Sequence, residues 1–179
     1  MKKIIAINLI YFFCGLPTFL YAQNEVDSSK EIDINDQTQY LPDYLENVHI
    51  GMTLAEFGIV KNTLLMDVSN NAPDVWYGVR EEVTDDGISE VYYKFDKEEN
   101  GINIDRPLYQ IDLIFSDSLS ESEFLRDKFG VPQKDLGSSE YEWKFNTNKN
   151  YKLFVKQKGI EVQIFAAMPG TEYEAKNDF

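Results

Sequence analysis

Cysteine is nearly missing from this chain: Cys14 is the one cysteine among 179 residues. No disulfide can form within it, and if Cys14 is lost in processing no thiol nucleophile or thiolate metal ligand remains. Histidine is equally scarce, with His49 alone. A lone imidazole can serve as a general base. In Val48-His49-Ile50, however, it sits just before a helix start, where a structural or exposed role is expected. Metal-ligand spacing is absent too, and no cofactor is expected. Positive charge is in short supply, with 17 Lys and Arg against 31 Asp and Glu, a net charge of −14 and a pI near 4.4. A surface of that sign repels nucleic acid and anionic lipid, and it favours a basic partner or simple solubility.

Long apolar runs are confined to the first residues. Lys2 and Lys3 precede an apolar stretch from Ile4 to Leu20, interrupted by Pro17, and Leu20-Tyr21-Ala22 ends it on a small residue. A charged start, an apolar middle and a small-residue cleavage site make a secretory signal peptide over 1–22. The run is short for a spanning helix. Cys14 follows Phe13, not the small residue that a lipoprotein signal requires. Cleavage after Ala22 removes two lysines and no acid, which takes the net charge from −14 to −16. The product is expected outside the cytoplasm, periplasmic or secreted, with no stable membrane insertion.

Residues 23–40 carry Glu25, Asp27, Glu31, Asp33 and Asp36 against Lys30 and lack a sustained apolar period, so they read as an acidic flexible linker. The run from Asp33 does not make a calcium loop, because Thr38 stands at the sixth position and Tyr44 at the twelfth. A single α+β domain is expected over 41–168. Thr53 and Glu56 have capping-box spacing and open a helix. Strands follow around Val75–Glu82, Ile88–Phe95 and Tyr109–Phe115, with Asp85-Asp86-Gly87 as the first turn. Ser120 and Glu123 repeat the capping-box spacing, and Gly130 and Pro132 stop the second helix. Tyr141–Phe145, Tyr151–Lys156 and Ile160–Ile164 then alternate as strands. Residues 169–179 read as a loose tail.

Thr53, Glu56, Phe57 and Trp76 recur at a constant offset as Ser120, Glu123, Phe124 and Trp143. That argues for two αβββ units in tandem, over 48–116 and 117–168, forming a mainly antiparallel sheet with helices on one face. Gly51-Met52-Thr53-Leu54-Ala55-Glu56-Phe57 resembles the opening of the small outer-membrane assembly lipoproteins of the SmpA/BamE type. Phe129-Gly130-Val131-Pro132 followed by Trp143 resembles the element that closes their helical part before an aromatic-rich strand. The β-lactamase inhibitory protein, two such units in tandem, has the same general fold. The resemblance implies this fold and a general binding role, and it transfers no target and no contact residue.

Two acids held at the right separation can hydrolyse a glycoside. Glu81 and Glu82 are neighbours on a strand and face opposite ways. Asp85-Asp86 lies in a turn and Glu98-Glu99 in a charged loop, so a carboxylate hydrolase ranks last. The leading reading is an exported cell-envelope binding protein without catalytic activity that recognises another protein, a basic one on charge grounds. The alternative is a carbohydrate- or small-ligand-binding module that uses aromatic side chains. Candidate binding residues are Asp85, Asp86, Glu98 and Glu99 at loop tips, where an acidic surface would speed encounter, and Tyr141 and Trp143 as aromatic anchors. Tyr141, Trp143 and Phe145 share one strand face, so a core role competes with the anchor role. The exported protein should begin at Gln23 and carry no lipid. Its intact mass checks this, and a mass retaining residues 1–22 or a diacylglycerol on Cys14 would refute it.

Overall fold

Alternating apolar and polar side chains dominate the chain from Trp76 to Ala166, and strands are the result. The computed structural model describes residues 30–61, 67–69, 76–84, 87–96 and 106–178. The described residues hold nine strands: β1 (Glu31–Ile32), β2 (Asp67–Ser69), β3 (Trp76–Glu82), β4 (Ile88–Asp96), β5 (Leu108–Phe115), β6 (Lys134–Gly137), β7 (Glu140–Thr147), β8 (Leu153–Lys158) and β9 (Glu161–Ala166). The helices are α1 (Leu54–Val60) and α2 (Ser118–Phe129). All strands join one open sheet in the order β1-β7-β8-β9-β5-β4-β3-β2. β6 shares the outer edge of β7 with β1: β6 pairs near Tyr141, and β1 pairs at Asn146 and Thr147. Every pairing is antiparallel except β1 on β7.

Each helix is followed by four strands in a meander, one more than the sequence suggests. The extra strands, β2 and β6, are short. The two meanders meet where β5 pairs β9, with Asp112 opposite Gln163.

The register fixes which side chains share a face. Val79, Tyr93, Ile111, Ile164, Val155 and Trp143 are successive cross-strand partners and form one row across six strands. Both helices pack on that side. Phe57 of α1 meets Tyr93 and Phe95, with ring centroids 4.7 and 5.2 Å away. Phe129 of α2 meets Phe145 at 5.8 Å and Trp143 at 6.3 Å, and Phe124 meets Phe115 at 5.4 Å. Fully burying an aromatic of this kind contributes on the order of 1.5–3 kcal/mol, so this layer supplies most of the driving force for folding.

Local signals explain where the helices begin and end. Thr53 accepts from the Glu56 amide while the Glu56 carboxylate accepts from the Thr53 amide, the reciprocal box expected from the spacing. For α2 the cap is Asp117, not Ser120. Asp117 Oδ1 accepts from the Leu119 and Ser120 amides, both at 2.9 Å, and Ser120 lies in the first turn. A carboxylate there also meets the positive end of the helix dipole, which a serine cannot do. Gly130 ends α2 with φ +69°, a left-handed position that a β-carbon disfavours.

Two segments expected to be loose are built into the fold. In the stretch read as a linker, the described residues 30–40 put Ile32, Ile34 and Tyr40 in the core. The acids there cap turns: Asp36 accepts from the Thr38 amide, and Asp33 accepts from Asn35 and Asn148. Tyr40 Oη donates to the Ile34 carbonyl at 2.7 Å and accepts from the Ile50 amide at 3.0 Å. One buried hydroxyl thus ties β1 to the approach to α1. In the expected tail, Pro169–Asp178 turns back on the sheet through Tyr173. The acidic composition hid spaced apolar anchors in the first segment, and Tyr173, Glu172 and buried Thr171 fix the second.

Tyr40→Phe should lower stability by about 1–3 kcal/mol, because it leaves a buried amide and a buried carbonyl without their partner. Phe115→Ala should cost about 3–5 kcal/mol through the lost side chain and the cavity left behind. Urea denaturation followed by far-ultraviolet circular dichroism measures both.

Candidate functional site

Of the six candidate residues, Tyr141 and Trp143 fall among the described residues. Tyr141 and Trp143 lie on the helix-covered side. Trp143 is buried, and its indole N–H donates to the Gly130 carbonyl at 3.2 Å, while Tyr141 packs against the same core. Asp85, Asp86, Glu98 and Glu99 lie outside the described residues. Glu81 and Glu82 point to opposite faces, as strand alternation requires. The Glu81 carboxylate is held on the helix side by Lys61 Nζ at 3.0 and 3.1 Å and by the Tyr93 hydroxyl. Glu82 meets Arg80 at 3.4 Å on the other side. His49 is half-buried beside the entry to α1.

The opposite face of the sheet carries neither α1 nor α2. Its middle row runs Arg80, Tyr92, Asp112, Gln163, Lys156, Glu142 and Lys134, again as successive cross-strand partners. Along it, polar groups engage one another. Arg80 grips Glu90 with two nitrogens, Nη2 to Oε1 at 2.8 Å and Nε to Oε2 at 3.1 Å. Tyr92 Oη donates to the same carboxylate at 2.8 Å. At the centre, Asp112 is buried, with Lys94 Nζ at 2.9 Å and the Gln110 amide donating to it. A one-residue slip between β4 and β5 at Phe95 breaks the alternation there.

Part of this face has a small core of its own. Phe154 and Phe165 stack at 5.4 Å with planes 7° apart, and Tyr173 lies 4.3 Å from Phe165. Tyr173 Oη donates to the Gln110 side-chain Oε1 at 2.8 Å, and Tyr109 Oη donates to Glu172 at 3.0 Å. The C-terminal turn therefore covers the middle of the face, and neither α1 nor α2 lies over the remainder. An apolar-periodicity reading does not bring these residues together, because Arg80, Gln110, Asp112 and Lys156 serve in it only as the polar alternates of their strands. Listing those alternate positions for β4, β5 and β9 would have found them.

Burial and pairing set the acidities. Burial pushes the Asp112 carboxyl up, against the opposing pull of Lys94. The hydrogen bond from Arg80 holds Glu90 below its ordinary value. An arrangement of paired charges and aromatic rings offers a mosaic for contact, with its carboxylates already engaged. Among the described residues, no group of three or more His, Cys, Asp or Glu is placed to hold a metal ion, and no helix is long and apolar enough to cross a membrane. Comparison with family models, curated proteins and solved structures found no match to this chain.

The two carboxyls should titrate on opposite sides of their usual values, with opposite effects on stability. As pH rises through the ordinary aspartate value of 3.8, the unfolded chain loses its Asp112 proton before the folded chain does, so this group's contribution to stability falls. Glu90 behaves the other way: its contribution is present above the ordinary value of 4.5 and is lost as pH drops through its lowered folded value. Carboxyl-carbon NMR titration of both residues checks the directions.

Proposed function

We propose that this chain is an exported protein of the cell envelope that binds another protein without catalysing a reaction, and that the face of its sheet away from α1 and α2 is the recognition surface. The observation carrying this reading is the face itself: six central strands presenting Arg80, Tyr92, Gln163 and Lys156 on the side away from α1 and α2, with the C-terminal turn over its middle. An open antiparallel sheet can leave one face to solvent or to a partner, and tyrosine and arginine are the residues that most often anchor interfaces. Export is supported by the charged start, the apolar run and Ala22.

The same reading takes the two halves as tandem αβββ units, each with a short added edge strand. Each half is a helix followed by a meander, and the last strands of the two halves pair with each other. That agrees with the resemblance to the SmpA/BamE-type lipoproteins and the β-lactamase inhibitory protein, whose general role is binding. The absence of catalysis is supported by the carboxylates of this face, which are engaged by Arg80 and Lys94 and unavailable as an acid–base pair.

Affinity capture by the mature protein from its own envelope fraction, read by mass spectrometry, tests the proposal with two variants. Tyr92→Ala combined with Gln163→Arg changes the open face. Ile59→Ser changes an exposed residue of α1, 86 % accessible. The face variant should lose the captured protein by at least about tenfold, and the helix variant should retain it. The reverse pattern would place recognition on the helices and defeat the proposal.

A further inference from the structure

Although the chain is strongly acidic, some of its lysines gather on one part of the open face. Three of them ring the stacked phenylalanine pair. Lys176 Nζ lies 4.7 Å from the Phe165 centroid and 5.5 Å from that of Phe154. Lys156 Nζ is 6.0 Å from Phe165, and Lys144 Nζ is 6.0 Å from Phe154. They come from three places in the chain, β7, β8 and the C-terminal turn, so the fold and not local sequence assembles them. Lys156 has Glu142 at 3.7 Å. Among the described residues, Lys144 and Lys176 have no carboxylate within ion-pair distance, in a protein with 31 acidic residues.

Each of these two ammonium groups is perturbed by its surroundings. Burial pushes the pKa of the Lys144 ammonium below its ordinary value, and the neighbouring Lys152 pushes the same way, against the pull of Glu142. Burial acts first on Lys176 as well, followed by the charge of Lys156. The ring faces offer some compensation, since a cation over an aromatic face is attracted by the ring quadrupole. Even so, like charges brought together on a half-dry platform form a site that an anion would relieve.

We propose that the platform of Lys144, Lys156 and Lys176 on Phe154 and Phe165 is a docking site for a short acidic peptide segment of the partner protein. This rests on the reading of the open face as the recognition surface and adds the chemistry of what binds there. The occupant is set by charge at two scales. Locally the site calls for carboxylates, several of them, to meet ammonium groups contributed by β7, β8 and the C-terminal turn. Globally the net charge of −14 repels any long or extended anionic surface, such as a nucleic acid or an anionic bilayer. A short segment can satisfy the first condition without meeting the second. Lysines make ammonium point contacts and impose none of the bidentate geometry that arginine would, which suits flexible glutamate and aspartate side chains. The expectation of a basic partner follows from total charge, and this part of the surface has the opposite sign.

The test is binding of a dye-labelled oligoglutamate peptide to the full mature protein, read by fluorescence anisotropy across a salt series. The parent should bind at low salt and release the peptide as salt rises. Lys144→Gln combined with Lys176→Gln should weaken binding at least about tenfold and flatten the salt dependence, with an unchanged circular dichroism spectrum. Arg126→Gln on α2, an exposed residue whose ion pair is with adjacent Asp127, should bind like the parent. No binding by the parent, or equal binding by the double variant, would overturn the assignment. So would phosphatidylglycerol vesicles or a single-stranded DNA oligomer binding the parent as tightly as the peptide, because the site would then accept any polyanion. If the double variant still captures the envelope partner at parental level, the peptide site fails while the open face stands as the recognition surface.

Discussion

Six side chains in register, from Val79 through Tyr93, Ile111, Ile164 and Val155 to Trp143, make the continuous apolar row on which the rest of the molecule depends. Because strand side chains alternate, assigning that row to the core assigns the row beside it to the opposite face. Phe57, Phe129 and the buried residues of the N-terminal segment all roof the first row. Arg80, Tyr92, Asp112 and Lys156 are thereby committed to the second. The dry face and the charged face are one decision, made by register. A one-residue slip in any central strand would exchange them.

The charged face is more structured than a solvated surface. Asp112 is almost fully enclosed, yet its carboxylate has Lys94 and Gln110 as partners, and Gln110 in turn accepts from Tyr173. Buried polar groups linked in this way are costly if one link fails and specific if all hold. The network fixes the C-terminal turn over the middle of the face. The turn in turn brings Lys176 onto the phenylalanine pair, where it completes the lysine platform.

What could be read from the residues was what local physics decides. The capping box at Thr53, the hairpin alternation and the stop at Gly130 depend on neighbours in sequence, and each is present. The two opposed faces of Glu81 and Glu82 were equally legible. The order of the strands was not, because it depends on pairing between β5 and β9, which lie far apart in the chain. The N-terminal segment was misread because Ile32, Ile34 and Tyr40 are spaced among acids that serve as turn caps. The second helix cap was misplaced because serine and glutamate at the right spacing mimic a box, while Asp117 offers the stronger acceptor three residues earlier. The polar positions that make up the open face carried no periodic signal, since only their neighbours' register shows that they lie side by side.

The seam between β5 and β9 has a temporal consequence. A chain that emerges from its N-terminus can assemble β2 to β5 early, but β5 then waits with one edge bare until the final strand arrives. Every residue through Ala166 must be available before the sheet closes. Such long-range closure is slow relative to local hairpins, and an unpaired central edge is a template for association with other chains. A protein wired in this manner stays unfinished until β9 has been made, and for that interval its exposed seam is as open to a foreign strand as to its own.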